Sequence, residues 1–303
     1  MNLAASPSSD GVEGLPAAAA ALVADAWDCA AVAAERAGVA IVETADVPGP
    51  AAFDDVSELL RRVWRAEHRA EIAAPGLLRT YAHSGNYVAG AYRDGRLIGA
   101  AVGFFGRDER GTPHLHSFVA GVEPGGVGTG VGFAIKQHQR AWTLARDVPE
   151  VRWTYDPLVL RNASFNLRKL GGHAVRYLPE FYGAMADGIN SGDLSDRLLL
   201  VWRLAAPEAV AAAHGTPAGV DVGGTAKLLD RAGDGTPLRL PAVPAPALLV
   251  AVPPDVEGLR ARDPAGATAW RLAVREVMAG RLADGWRIAG ISRDGYYLLT
   301  EER

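Results

Sequence analysis

The sequence has a single cysteine, Cys29, among 303 residues. One thiol closes no disulfide within a chain and builds no cysteine metal centre, so neither device holds this chain together. Lysine is nearly missing as well. It occurs at Lys136, Lys169 and Lys227, and arginine supplies the rest of the 31 basic residues against 35 acidic ones. The resulting net charge of -4 excludes the dense basic character that nucleic-acid binding needs. The most apolar stretch, Pro16 to Val42, carries Asp25, Asp28, Glu35 and Arg36, which argues against a membrane span. No basic segment precedes it as in a signal peptide. A cytoplasmic chain with neither a membrane nor a nucleic-acid partner is expected.

What is present suits a large core, since 49% of the residues are apolar. Residues 1–14 read as a disordered tail. Residues 16–37 read as a helix with Leu22, Ala26, Cys29, Ala30 and Ala33 on one stripe and Gly38 as its stop. Cys29 there is a small buried apolar residue. Ala40 to Thr44 is a short strand. Helices follow near Asp54-Asp55, with Trp64 in the core, and at Pro75 to His83. Asn86 to Tyr92 and Leu97 to Phe105 flank Asp94-Gly95, a hairpin signal, and His114 to Val122 continues the meander. A long helix ends near Arg146, and Val151 to Tyr155 is a strand. Asn162 to Leu170 is a short helix, and Ala174 to Leu178 and Leu198 to Leu204 are strands. Residues 206–247 are rich in Gly and Pro, and their later part reads as a linker or draped loop. An αβ unit closes the chain, with Asp263 and Pro264 opening a helix whose Trp270, Val274, Val277 and Met278 are buried.

The sharpest feature is the run Val122-Glu123-Pro124-Gly125-Gly126-Val127-Gly128-Thr129-Gly130-Val131-Gly132, between a strand and a helix. A helix N-terminus offers unpaired N–H groups and about half a positive charge, which suits a phosphate or pyrophosphate. It is not a P-loop, because no Lys follows the glycines until Lys136. It is not a dinucleotide fingerprint either. The sixth residue counted from Gly126 or Gly128 is Val131 or Phe133 rather than glycine.

These residues resemble the cofactor motif of the GNAT superfamily, V-x-P-x-x-[R/Q]-x-x-G-x-[G/A], matched at Val122, Pro124, Gly130 and Gly132. The segments Trp153 to Leu158, Asn162-Ala163, Asn166, Lys169-Leu170-Gly171, Asp187 to Asn190 and Ala269 to Ala273 look like one bacterial branch of it. The resemblance implies a GNAT fold of the α/β (α+β) class. Its central sheet is mixed and mostly antiparallel, flanked by helices, with an N-terminal helix and a C-terminal αβ extension. The divisions expected are 1–38, 39–205 for the acyltransferase domain, and 206–303. The co-substrate implied is acetyl-CoA or another acyl-CoA. Ala120 and Val122 would offer backbone groups to the pantetheine arm. Val127, Gly128, Thr129, Gly130, Gly132 and Phe133 would line the pyrophosphate turn. The strand of Val151 to Tyr155 would splay from that of Ala120 to admit the thioester. Val127 stands where the superfamily has Arg or Gln, and Leu167 where it often has a Tyr acid.

Acyl transfer to an amine needs a base for the amine proton and, often, an acid for the thiolate. His116, six residues before Val122, lies where many GNAT enzymes carry their catalytic carboxylate; as a base it would titrate near about 6.5 if unperturbed. A hydrogen-bonded sheet histidine is the bland alternative. His114 shares its face and Ser117 points the other way. No third ligand joins the two histidines, so no metal is expected. Tyr155, Tyr177 and Tyr182 are candidate acids, though each is more often a packing residue with a satisfied hydroxyl. Asn162 is either a ligand residue or a helix cap. Glu180, Asp187 and Asp193 form an acidic stretch that is a solvated loop or a selector for a cationic acceptor. The expected partner is a small-molecule amine, and a homo-oligomer is compatible with the sequence. A non-catalytic acyl-CoA-binding or regulatory protein and an O-acyltransferase stay as alternatives.

Overall fold

The computed structural model describes residues 16–69, 72–183, 193–217, 219–241 and 243–301. The expected tail at 1–14 and the segment Asp187 to Asn190 lie outside them. Packing divides the chain into two units. One runs through Arg152 and takes in Arg203–Ala205; the other holds Trp153 to Trp202 and everything from Ala206 onward among the described residues.

In the first unit, α1 (Ala17–Ala37) ends where Gly38, at φ 63°, donates its N–H to Ala34 and Glu35 carbonyls. By length and a mean hydropathy of 1.5, α1 is apolar enough to cross a membrane. Here its stripe of Val23, Ala26, Cys29, Ala30 and Ala33 is buried. Then come β1 (Ala40–Glu43), α2 (Ala52–Trp64), α3 (Pro75–His83), β2 (Tyr87–Arg93), β3 (Arg96–Arg107), β4 (Pro113–Val122), α4 (Val131–Leu144) and the start of β5 (Glu150–Tyr155). Strands β1 to β4 are antiparallel neighbours in chain order, and β5 joins β4 in parallel. The β2–β3 turn is Asp94 and Gly95, both at positive φ, the twist-compatible geometry expected.

On one face of this sheet, Val56, Leu59 and Leu60 of α2 and Leu78 of α3 pack on Val88, Ala100, Val102 and Val119. Each fully buried Leu contributes about 1.5–3 kcal/mol. Trp64 is only partly buried at the margin of this cluster. Helix α4 covers the other face and packs against α1. The β3–β4 register shifts between Val102 (opposite Val119) and Gly103 (opposite Ser117), so Phe118 is the extra residue of a bulge. The bulge reverses the alternation: Val119 packs beneath α2, while Ser117 is buried against Lys136 of α4.

The second unit begins with α5 (Leu160–Ala163), which runs on as a π-helical turn over Ser164–Lys169 instead of the single helix expected over Asn162 to Leu170. Gly171 follows at φ 72°, and a Cβ on it would stand 2.5 Å from the Glu208 carbonyl oxygen. Then come β6 (His173–Leu178), β7 (Arg197–Arg203), α6 (Pro207–Ala213), β8 (Ala226–Arg231), β9 (Pro237–Arg239), β10 (Ala247–Ala251), α7 (Val256–Arg262), α8 (Pro264–Ala283), β11 (Trp286–Ile291) and β12 (Tyr296–Glu301). Their order is β7-β6-β11-β12-β10-β8-β9. The later part of 206–247, read as a linker or draped loop, thus contains two strands. Leu228 and Leu229 are buried, and β8 runs parallel to β10.

The packing division falls inside β5 as well as at 205/206. The cause lies within the second unit: β6 pairs with β11, and Asp156 is bonded to Arg271 of α8. The described C-terminal residues and residues 153–183 therefore share one core. Helix α8 starts as expected, with the Asp263 carboxylate accepting from the Gly266 N–H at 3.0 Å. Asp263→Ala should cost about 1 kcal/mol, read as a lower urea midpoint with the slope unchanged.

Candidate functional site

The strand β4 ends at Val122, and its exit is fixed by Glu123, which accepts from Arg62 and Arg96. A single turn follows at Pro124–Gly126, and a Cβ on Gly126 would stand 2.7 Å from Val122 Cγ1. Gly128 and Gly130 sit at φ 83° and 92°, conformations that glycine takes without strain. The Thr129 hydroxyl donates to the Gly126 carbonyl at 2.7 Å and closes the turn. Gly130 is the N-cap of α4 and no side chain caps it. The N–H groups of Gly128, Gly130, Val131 and Gly132 find no acceptor among the described residues. With the helix dipole behind them they form a small cationic cradle. Val127 is 61% exposed. A cleft of about 520 Å³ opens beside the turn, lined by Arg93, Arg96, Glu123 and Pro124 among others.

Within the first unit β4 meets β5 at two positions, Leu115 opposite Val151 and His116 opposite Arg152. From Ser117 to Val122, including Ala120, the strand has β3 on one side and no ladder pair on the other among the described residues of this unit. Such an edge offers backbone groups to an extended ligand.

His116 lies where that pairing stops. Its ring is half-buried and sits 5.0 Å from that of Phe104. Burial, then the charges of His114 and Lys136, hold its pKa down to about 4. His114 is buried, its Nδ1 has no partner among the described residues, and burial and Arg152 lower its pKa as well. On the opposite face Lys136 donates to Ser117 Oγ at 2.8 Å and to Gln139 Oε1 at 2.9 Å. Burial brings its ammonium down to about 7.

Solved structures of similar shape include acetyltransferases. A GNAT-family acetyltransferase from Streptococcus pneumoniae is 13% identical at a TM-score of 0.42, over 54% of this chain and 98% of that one. The ribosomal-protein-S18-alanine N-acetyltransferase of Escherichia coli is 10% identical at 0.42, over 55% and 95%. The aminoglycoside 6′-N-acetyltransferase of Enterococcus faecium is 16% identical at 0.41, over 55% and 98%. No family model matches the sequence. No curated protein matches it either.

The remaining candidates belong to the second unit. Tyr155 is buried, and burial pushes its phenol well above the usual range. Tyr177 donates to Asp196 at 2.7 Å, and burial with that carboxylate pushes its phenol well above the usual range. Tyr182 is half-exposed, with its hydroxyl 2.9 Å from Thr154 Oγ1 and the Arg197 guanidinium 5.3 Å from its ring centre. Asn162 is exposed within α5, whose N-cap is Val159, so it caps nothing. Leu167 is a buried packing residue. Of the acidic stretch, the Asp193 side chain is buried against Arg260 and Arg271, while Glu180 is exposed and pairs with Arg275; Asp187 lies outside the described residues.

Sequence reasoning missed this buried ion cluster, whose members are polar residues scattered from Asp156 to Arg271. It missed Lys136 too, because a lone Lys in an amphipathic helix reads as a surface charge. The one signal available was the shortage of lysine itself.

Proposed function

We propose that this chain is a GNAT-type acyl-CoA-dependent N-acyltransferase that passes an acyl group directly to the amine of a small molecule. The carrying observation is the turn from Val122 to Phe133. A strand end leads through Pro124 and two left-handed glycines to a helix N-terminus that no side chain caps. In the proposed reaction the amine nitrogen attacks the thioester carbonyl carbon. His116 accepts the amine proton, the C–S bond breaks, and CoA leaves as thiolate. Neither Asp nor Glu occurs in β4 to serve as base instead. Acetyl or a longer acyl group fits the reading, and so does a cytoplasmic enzyme with its single thiol buried.

A charge placed in the cradle tests this. Gly132 is in the first turn of α4, its φ is ordinary, and a Cβ there meets only Val122 Cγ2 at 3.9 Å. A carboxylate in a first helical turn stabilises the helix by roughly 0.3–1 kcal/mol, and replacing glycine also helps. The same carboxylate repels a pyrophosphate. Gly132→Glu should therefore keep or raise Tm while acyl-CoA affinity, measured by calorimetry, falls at least tenfold. Unchanged affinity would put the cofactor elsewhere. A protein that binds acyl-CoA and releases no thiol with any amine would be the regulatory alternative, which the exposed Val127 favours.

A further inference from the structure

Phe104, which stands against His116 in the first unit's sheet, is itself flanked by two further rings. Phe104 stands 5.7 Å from Tyr81 of α3, 5.0 Å from His116 and 6.2 Å from Phe118. Tyr81, Phe104 and His116 are half-buried, and Phe118 is exposed at 39%, a large share for a phenylalanine beside a core. The bulge explains its position: as the extra residue of β4, Phe118 is released from the regular alternation. The elements that carry these rings bring no carboxylate. Helix α3 reads PGLLRTYAH, β3 reads RLIGAAVGFFGR and β4 reads PHLHSFVAGV. The charged groups that act on His116 are His114 and Lys136, both cations when protonated. Such a surface is aromatic, its rings tilted against one another, and these three elements bring no carboxylate to attract positive charge.

We infer that the acceptor is an arylamine, an uncharged amine on a flat aromatic body, docked against Tyr81, Phe104 and Phe118 with its nitrogen at His116. This rests on the acyltransferase reading and narrows it. The nitrogen lone pair of an arylamine is delocalised into its ring, so the amine stays unprotonated at neutral pH and meets no repulsion from His114 or Lys136. Offset or edge-on contact with three rings is the packing that aromatic quadrupoles favour. In the transfer the N–C bond to the acyl carbon forms and the C–S bond breaks. One N–H proton passes to His116, and CoA departs as thiolate. A polyamine acceptor would arrive multiply charged and find no carboxylate in these elements. The histidine's depressed basicity suits a nitrogen that brings no extra proton.

Ligand-observed NMR on the full chain saturated with CoA decides the point, with 4-methylaniline, n-butylamine and spermidine as probes. The arylamine should bind at least tenfold more tightly than either aliphatic amine. Phe118→Ala should weaken it by roughly threefold to tenfold. Phe105→Ala is the control: Phe105 stacks on Trp142 on the other face of β3, at 5.7 Å, and its loss should leave arylamine affinity unchanged. Equal or tighter binding of spermidine or n-butylamine, or an indifferent Phe118→Ala, overturns the inference. Thiol release from acetyl-CoA is followed separately. Arylamine binding that depends on Phe118 without thiol release would uphold the docking surface and defeat the acyltransferase reading. Thiol release with spermidine alone would do the reverse.

Discussion

Arg271→Met should destabilise the protein by roughly 3–5 kcal/mol, the usual penalty for removing one partner of a buried ion pair. Arg271 is fully buried and donates from two nitrogens to Asp156, at 2.8 and 2.9 Å, and from a third contact to Asp193 at 2.6 Å. Arg260 binds the same two carboxylates. The cluster balances two cations against two anions with its side chains almost closed to water. Removing Arg271 leaves a net buried negative charge. Burial alone would raise the Asp156 pKa, but Arg271 and Arg260 hold it down to about 2. A folded pKa below the ordinary carboxylate value means that the pair stabilises the protein fully above about pH 4. That contribution fades as pH falls toward 2. In Arg271→Met burial regains control and raises the Asp156 pKa, so the variant recovers stability as acid neutralises the carboxylate. The gap between wild type and variant should therefore narrow from pH 7 to pH 4 in urea unfolding. Arg271→Met with Asp156→Asn should recover part of the loss. A gap that is constant with pH, or no recovery in the double variant, would mean that packing rather than charge explains the cost.

That cluster also marks how far the sequence could be read. Elements with strong local signals stood where expected. The Asp94-Gly95 hairpin, the Pro75 helix start, the Asp263 cap and the Gly38 stop each rest on the chemistry of a few adjacent residues. The cradle was legible for the same reason, since strand end, Pro124 and glycines are contiguous. Long-range pairing was not. The segments around Asp156 and Arg271 were noticed separately, but nothing in either says that the two bond. Strands β8 and β9 were lost because a three- or six-residue strand among Gly and Pro has too few apolar positions to show a period. The π-helical turn after Ala163 has the same apolar content as the α-helix expected, and only its hydrogen bonds distinguish it. For His116 the residue and its place on β4 were legible, while its proton affinity was not. That affinity depends on burial and on His114 and Lys136.

The affinity sets the form of the result for His116→Ala. Loss of a general base typically costs roughly 10²–10⁴-fold in rate, so kcat should fall by that much while acyl-CoA affinity holds. With a pKa near 4, His116 is unprotonated at every pH above about 5, and its own titration should leave no step near neutrality. The wild-type profile should nonetheless rise by a small factor around pH 7 with an uncharged amine. Lys136 titrates there, and its charge is one of the causes depressing His116. As Lys136 loses its proton that repulsion ends, and the imidazole becomes the stronger base. Lys136→Met should remove this step and raise the rate below pH 7. Its hydrogen bond to Ser117 Oγ goes with it, so a thermal scan must accompany the kinetics. His114→Ala, which removes the other nearby ring, should act in the same direction but mildly. A full step at about pH 6.5 that vanishes in His116→Ala would show that the ring is better solvated than its burial implies. Equal, small losses for His116→Ala and His114→Ala would leave the proton to another acceptor and make His116 a packing partner of Phe104.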